Sequence, residues 1–301
     1  MHTKTLKIAT RSSPLALCQT HYVCNELRRY HPDIQIELIP IITTGDTMLD
    51  IKLEKIDKKG LFIKELEYAL LHYHADIAVH SMKDMSIHFP KGLGLAVICE
   101  RNDPRDAFVS LRYSNIDSLP NGAIVGTSSL RRQCQLHERR PDLQINNIRG
   151  NVNTRLKKLN TGQYDALILA TAGLKRLSLD NYIRMSIDPA DSLPAMGQGA
   201  LGIEYRLKDN ETLSLLKPLH HQNTAICIEI ERDINKRLQS NCQSSIASYA
   251  EIKNNNQLWL RALINSTQQN KIIRSEGISL INDAKQLSIK VAEDLLIRSK
   301  S

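Results

Sequence analysis

Short strand-like runs and longer helix-like runs alternate through the first 170 residues, and this alternation restricts the fold more than any other feature. LKIAT reads as a strand. Ser13-Pro14 then opens a helix through LALCQTHYVCNELRRY, an N-cap followed by proline at the first helical position. IQIELIP alternates as a strand, Phe62 to Ala75 has the apolar period of a helix, and DIAVHSM and GLGLAVICE are apolar strand runs. A second set follows in the same rhythm: AIVG, SSLRRQCQLHERR, LQINNI, NVNTRLKKLN and DALILA. Such succession implies βαβ units, parallel sheets and helices on both faces, the α/β class.

From about residue 220 the pattern changes. Asn223 to Leu238 reads as a helix, SIASYAEI and QLWLRALI flank an Asn-rich turn as a hairpin, KIIRSEGIS reads as a third strand, and Asn282 to Arg298 as a closing helix. The expected organisation is two α/β lobes plus a small α+β C-terminal domain. Thr43 to Gly60, charged and weakly periodic, reads as a mobile loop over a site.

Composition matters here mainly through charge. The chain has 40 Lys+Arg against 32 Asp+Glu, a net +8. Eight basic and two acidic residues between Thr127 and Asn160 place +6 in one segment, which implies an anionic partner. One Trp and three Phe leave little from which to build a base-stacking platform. No run approaches the ~18 apolar residues of a membrane span. MHTKTLKIAT contains no apolar signal core, so the chain reads as cytoplasmic. The six cysteines form neither a CxxC pair nor a zinc-type cluster, so reduced thiols and no metal are expected. Cys18, Cys99 and Cys227 fit apolar patterns, whereas Cys242, in the polar run SNCQSS, fits none.

Ligands of open α/β sheets bind beyond the carboxyl ends of the strands. Arg11 and Ser13 follow the first strand, and Ser81, Lys83 and Asp84 follow DIAVH. Thr127, Ser128 and Ser129 follow AIVG, with Arg131 and Arg132 in the first turn of the next helix. Arg149 and Gly150 follow LQINNI, and Arg155 lies one turn further on. Helix N-termini favour anions. Arginines in a first turn oppose the helix dipole and therefore need a compensating anion. Plainer readings stand beside these: Ser13 and Ser128 as N-caps, Arg139, Arg140, Lys157 and Lys158 as a solvated face, and Asp84 as an ion-pair partner of Lys83. Taken together, the residues describe a two-lobed anion-binding cleft with one carboxylate able to move protons or to oppose a developing cation.

RSSPLA (Arg11 to Ala16), GLFIKELE (Gly60 to Glu67), ADIAVHSMKD (Ala75 to Asp84) and RNDPRDAFVS (Arg101 to Ser110) occur in that order. VGTSSLRRQCQL (Val125 to Leu136), IRGNVNTRL (Ile148 to Leu156), LPAMGQGALGIE (Leu193 to Glu204) and the Cys242 loop follow. The series closely resembles the bacterial porphobilinogen deaminase (hydroxymethylbilane synthase) family along essentially the whole chain. The resemblance implies two periplasmic-binding-protein-like lobes, 1–99 with 200–218 and 100–199, and a third domain over 219–301. It implies a monomeric alkyl-type transferase of porphyrin and heme biosynthesis. Four porphobilinogen units are joined head to tail with loss of ammonia, and the linear tetrapyrrole hydroxymethylbilane is released.

By the same resemblance a dipyrromethane cofactor is held through a thioether to Cys242. Ser81, Lys83, Asp84, Thr127, Ser128, Ser129, Arg131, Arg132 and Gly150 would bind it. Arg11, Ser13, Arg149, Arg155, Lys59 and Phe62 would bind substrate, and Asp84 would be catalytic. Four places depart from the family pattern: Thr44 where Arg is common, Met85-Ser86 for a Val-Pro-like pair, Asn241 for Gly, and Ser244-Ser245 for an apolar-Pro pair. On the residues alone two further readings stay open. One is a non-enzymatic anion-binding protein with a two-lobed cleft; the other is a nucleic-acid binder using the +6 segment, with affinity that falls steeply with salt.

Overall fold

The computed structural model describes residues 5–47, 61–239, 245–253, 256–266 and 271–300. The chain divides into two compact units, Met1–Arg101 with Ala200–Ala225, and Asn102–Gly199 with Ile226–Ser301.

The first unit is built on a five-stranded sheet of β1 (Leu6–Arg11), β2 (Ile36–Ile41), β3 (Ile77–Ser81), β4 (Leu93–Ile98) and the tenth strand of the chain, β10 (Leu201–Arg206). Their order is β2-β1-β3-β10-β4. Helix α1 (Pro14–Tyr30) begins as the sequence indicates, with Ser13 Oγ accepting from the Ala16 amide at 3.4 Å. Ala16, Gln19, Thr20, Val23, Cys24 and Leu27 form its buried stripe. A four-residue helix, α2 (Thr44–Thr47), lies within the segment expected to be a loop, and residues 48–60 are outside the described residues. Helix α3 (Lys64–Leu71) is shorter than its apolar period suggests. It stops because Tyr73 takes a left-handed φ of 59°. The buried Arg206 guanidinium donates to the Leu70 carbonyl at 3.0 Å and to the Ala75 carbonyl at 2.5 Å, tying the end of the helix to the segment that leads into β3.

The second unit repeats the plan with β5 (Asp106–Val109), β6 (Ile124–Gly126), β7 (Gln144–Asn146), β8 (Ala166–Ala170) and β9 (Ile183–Ile187), in the order β7-β6-β8-β5-β9. Helices α4 (Leu130–Arg139), α5 (Val152–Asn160) and α6 (Thr171–Arg176) belong to it. Neither sheet is all-parallel, which corrects the sequence expectation. β10 runs antiparallel to β3 and β4, and β5 runs antiparallel to β8 and β9. β10 returns to the first sheet from beyond the second unit's strands, and β5 precedes the parallel strands of its own sheet, so neither joins through a local helix crossover. The right-handed βαβ argument therefore does not govern them. β10 is also buried throughout although it carries Gly202, Glu204 and Arg206, so it lacks the apolar run of an ordinary central strand.

The remaining elements are α7 (Asn210–Leu216) in the first unit, then α8 (Gln222–Gln239), β11 (Ile246–Ile252), β12 (Gln257–Ser266), β13 (Lys271–Leu280) and α9 (Ala284–Lys300). The three strands form an antiparallel sheet, as the hairpin reading anticipates. Ile234 and Leu238 of α8 and Leu287 and Leu295 of α9 share a core with Leu258 and Leu260 of β12. Within the second unit Glu231 of α8 is fully buried, and its two oxygens accept from the amides of Gly197 at 2.7 Å and Ala250 at 2.8 Å. Cys24, Cys99 and Cys227 are buried, while Cys18 and Cys134 are only partly so. Among the described residues no helix is long and apolar enough to cross a membrane, and no His/Cys/Asp/Glu group could hold a metal.

Candidate active site

In the first unit the candidate residues gather at the carboxyl ends of β1 and β3. Arg11 is held by the Asp46 carboxylate, with Nε at 3.2 Å from Oδ2, and its guanidinium lies 4.1 Å from the centroid of the Phe62 ring. Gly45 makes room for that ring, since a Cβ at Gly45 would lie 2.2 Å from Phe62 Cε1. Burial raises the Asp46 pKa, but the bonds from Arg11 and Thr43 outweigh it and leave the carboxyl below its ordinary value. Thr44, where the family commonly has Arg, donates from its amide to Glu65 at 2.8 Å. Burial likewise raises the Glu65 pKa, and the two Thr44 bonds bring it below the ordinary glutamate value.

Ser81 Oγ accepts from Gln19 Nε2 at 2.8 Å. The 3-10 turn Met82–Asp84 follows directly, with Met82 buried, Lys83 half-buried and Asp84 exposed. The one-turn departure from β3 thus presents a carboxylate to solvent while its neighbour anchors the chain. Lys59, Asn241, Cys242 and Ser244 lie outside the described residues.

In the second unit the decisive group is one that sequence reading passed over. Asp106, at the start of β5, is fully buried and accepts from both Arg131 (2.8 Å) and Arg132 (2.7 Å). Gln198 adds a third donor at 2.9 Å. Burial raises the Asp106 pKa, and the two guanidiniums overcome it and hold the carboxyl far below the usual aspartate range. Burial pulls Arg132 below the ordinary arginine value, against the opposing attraction of Asp106. The compensating anion required by arginines in the first turn of α4 is therefore supplied from within the chain. Two guanidiniums against one carboxylate still leave the cluster net positive. The buried Nε of Arg131 has no acceptor among the described residues. A carboxylate-bearing ligand fits such a cluster.

Three separate motifs meet here. Asp106 comes from RNDPRDAFVS, the arginines from VGTSSLRRQCQL, and Gln198 from LPAMGQGALGIE. Arg131 also donates to the Leu193 carbonyl at 2.6 Å, and Gln135 Oε1 accepts from the Leu193 amide at 2.7 Å. Two successive arginines in a helix first turn were the signal that a buried acid should be sought.

Ser129, not Ser128, occupies the N-cap of α4, and it makes no side-chain cap bond. Ser128 instead clasps the next strand end: its Oγ donates to the Ile148 carbonyl at 2.7 Å and accepts from the Ile148 amide at 2.9 Å. Thr127 is buried, and its Oγ accepts from the Ser129 amide at 3.3 Å. Gly150 has φ 106°, and a Cβ there would lie 2.7 Å from Thr154 Cγ2, so only glycine fits. Arg155, half-buried, donates from Nε to the Gly150 carbonyl at 2.8 Å, and Arg149 is half-buried beside it. Replacing Ser128 with alanine should remove about 1–2 kcal/mol from the urea stability by freeing both Ile148 groups. An unchanged urea midpoint would show that the clasp is incidental.

Arg139 and Arg140 are engaged rather than simply solvated. Arg139 pairs with Asp117 at 2.7 Å, and Arg140 pairs with Asp142 at 2.7 Å while donating to the Ile116 and Leu119 carbonyls. A cavity of about 440 Å³ at the amino ends of β1 to β3, lined by Thr5, His31, Asp33, Asp76 and Glu211 among others, contains none of the candidate residues. Its position, at the wrong end of the strands for an α/β ligand site, separates it from the chemistry.

A family model described as porphobilinogen deaminase, dipyromethane cofactor binding domain, matches residues 6–214, and one described as the porphobilinogen deaminase C-terminal domain matches residues 225–297. The chain belongs to the porphobilinogen deaminase family. The porphobilinogen deaminase of Blochmanniella floridana is 59% identical over 302 residues, covering 100% of this chain and 96% of that protein. That of Blochmanniella pennsylvanica is 58% identical over 300 residues and covers 100% of both. Among solved structures, the periplasmic aliphatic sulphonate binding protein of Escherichia coli is similar at TM-score 0.42 and 14% identity, covering 78% of this chain and 70% of that one. The match to the cofactor-binding domain spans the candidate residues from Arg11 to Gln198, and the match to the C-terminal domain spans Cys242.

Proposed function

We propose that this protein is a hydroxymethylbilane synthase. It joins four porphobilinogen molecules head to tail, releases ammonia at each addition, and frees the linear tetrapyrrole by hydrolysis. The observation that carries the reading is Asp84, a carboxylate exposed on a turn anchored by a buried neighbour, within the family's cofactor-binding domain. Cys242 is the thiol that holds dipyrromethane, in a third domain following two lobes. Once bound, that group supplies the anchored pyrrole on which the chain grows.

Porphobilinogen carries an acetate and a propionate, so each addition brings two carboxylates. Arg11, Lys83, Arg149 and Arg155 bind them, with Ser13, Ser81, Thr127, Ser128, Ser129 and the Gly150 turn shaping the strand ends. Arg131 and Arg132 contribute the surplus positive charge of the Asp106 cluster to the cofactor carboxylates. Lys59 and Phe62 help to cover the substrate. Asp84 accepts pyrrole N–H bonds, opposes the positive charge that develops on a substrate ring as its amine departs, and takes up a proton as the new carbon–carbon bond forms. The protein works as a cytoplasmic monomer and needs no nucleic acid or membrane.

The test is direct. Purified protein should exceed its chain mass by two pyrrole units and should release ammonia from porphobilinogen. Tight reversible binding of porphobilinogen without ammonia release would instead identify an anion-binding protein. An unmodified Cys242 in a protein that turns porphobilinogen over would remove the thioether from the proposal.

A further inference from the structure

The turn bearing Lys83 and Asp84 rests on a gap in the adjoining strand. β10 pairs with β3 so that Gly202 stands opposite His80 and Leu201 opposite Ser81. Met82 donates its amide to the Ala200 carbonyl at 3.0 Å, and the side chains of both Met82 and Met85 are buried. Both thioethers close over Gly202. A Cβ at that position would lie 2.3 Å from Met82 Sδ, 3.2 Å from Met85 Sδ and 2.9 Å from Leu95 Cδ1. Gly202 does not adopt one of the positive φ angles found in this chain, so it is the missing side chain, not backbone freedom, that matters.

We propose that Gly202 is a positioning residue for Asp84: the absent side chain lets Met82 and Met85 seat both ends of the three-residue turn that presents the carboxylate. The inference rests on the role assigned to Asp84 above. Close-packed interiors do not absorb an added methyl without displacing something. Here the atoms that must yield are those of Leu95 and of Met82 and Met85, and Met82, the nearest, bears directly on the turn that carries Lys83 and Asp84. Misplacement of a reacting group by about 1 Å can cost as much as 100-fold in rate.

The experiment compares four proteins with the parent, each characterised by intact mass, urea midpoint, kcat and KM for porphobilinogen. Gly202→Ala should keep the two-pyrrole mass and a KM within about twofold, while kcat falls about tenfold or more. Gly94→Ala places the same methyl in the same sheet, 2.7 Å from Cδ2 of Leu207, an exposed side chain free to swing away. It should keep the parent kcat. Met82→Ala should lower kcat by leaving the seat empty, and Gly202→Ala/Met82→Ala should exceed Met82→Ala, because the new methyl fills the space the thioether left. If Gly202→Ala does not fold, the comparison of the double variant with Met82→Ala still reads the coupling. Parent-level kcat in Gly202→Ala, an equal loss in Gly94→Ala, or a double variant no better than Met82→Ala would each overturn the inference. A parent without porphobilinogen turnover would overturn the functional reading instead.

Discussion

Alanine at Asp84 should yield a protein that still carries the two-pyrrole mass increment yet has lost about 100-fold or more of its turnover, the scale of a removed acid–base group. The two properties separate because cofactor retention depends on a thioether to Cys242, whereas turnover depends on a carboxylate at the end of β3. Asp84 is exposed on its turn, so truncation removes charge without opening a cavity, and folding should be little affected. Cys242→Ser is the complementary case: it should show no increment and no turnover, since an alcohol cannot replace the thioether. Mass spectrometry and ammonia release, measured on both variants, check the pair. Asp84→Ala protein with parent turnover would exclude the carboxylate from catalysis.

Asp106→Asn should be among the most destabilising single substitutions in the second unit, by about 3–5 kcal/mol at neutral pH. It leaves Arg131 and Arg132 buried without the one carboxylate between them. The amide is nearly isosteric, so packing is preserved and the loss reports charge. The pH dependence has a definite sign. Because the folded Asp106 carboxyl titrates far below the usual aspartate range, its stabilising contribution is complete above the unfolded pKa of ~3.9 and fades as pH falls below it. Urea midpoints of parent and variant should therefore differ most near neutrality and approach one another in acid. Equal midpoints at pH 7 would mean that the arginines find their counter-charge elsewhere.

This cluster also changes what the local charge means. The +6 between Thr127 and Asn160 pointed outward, toward an anionic partner, because sequence counting sees only neighbours along the chain. Asp106 lies outside that stretch, as do Asp117 and Asp191, which pair with Arg139. With those partners in place, the charge of Arg131, Arg132 and Arg139 is answered largely within the chain, and the Asp106 cluster contributes only its surplus charge to the proposed binding. The candidate set was thus legible as residue types at strand ends, but the division between ligand binding and internal pairing was not.

The sequence by itself determined the strand–helix rhythm of both lobes, the α1 start at Ser13-Pro14, the C-terminal three-stranded sheet with its closing helix, and the placing of Asp84 beyond β3. Each of those follows from periods and caps within a window of roughly 5–18 residues, where side-chain patterning reports burial directly. Tertiary structure alone decided that β5 and β10 enter antiparallel, that Ser128 clasps Ile148 while Ser129 stands at the N-cap, that Asp106 answers Arg131 and Arg132, and that Gly202 opens a space under Met82 and Met85. These are pairings between segments 20 to more than 100 residues apart. No local period encodes them, because they exist only once folding has brought the two segments into one sheet or one core.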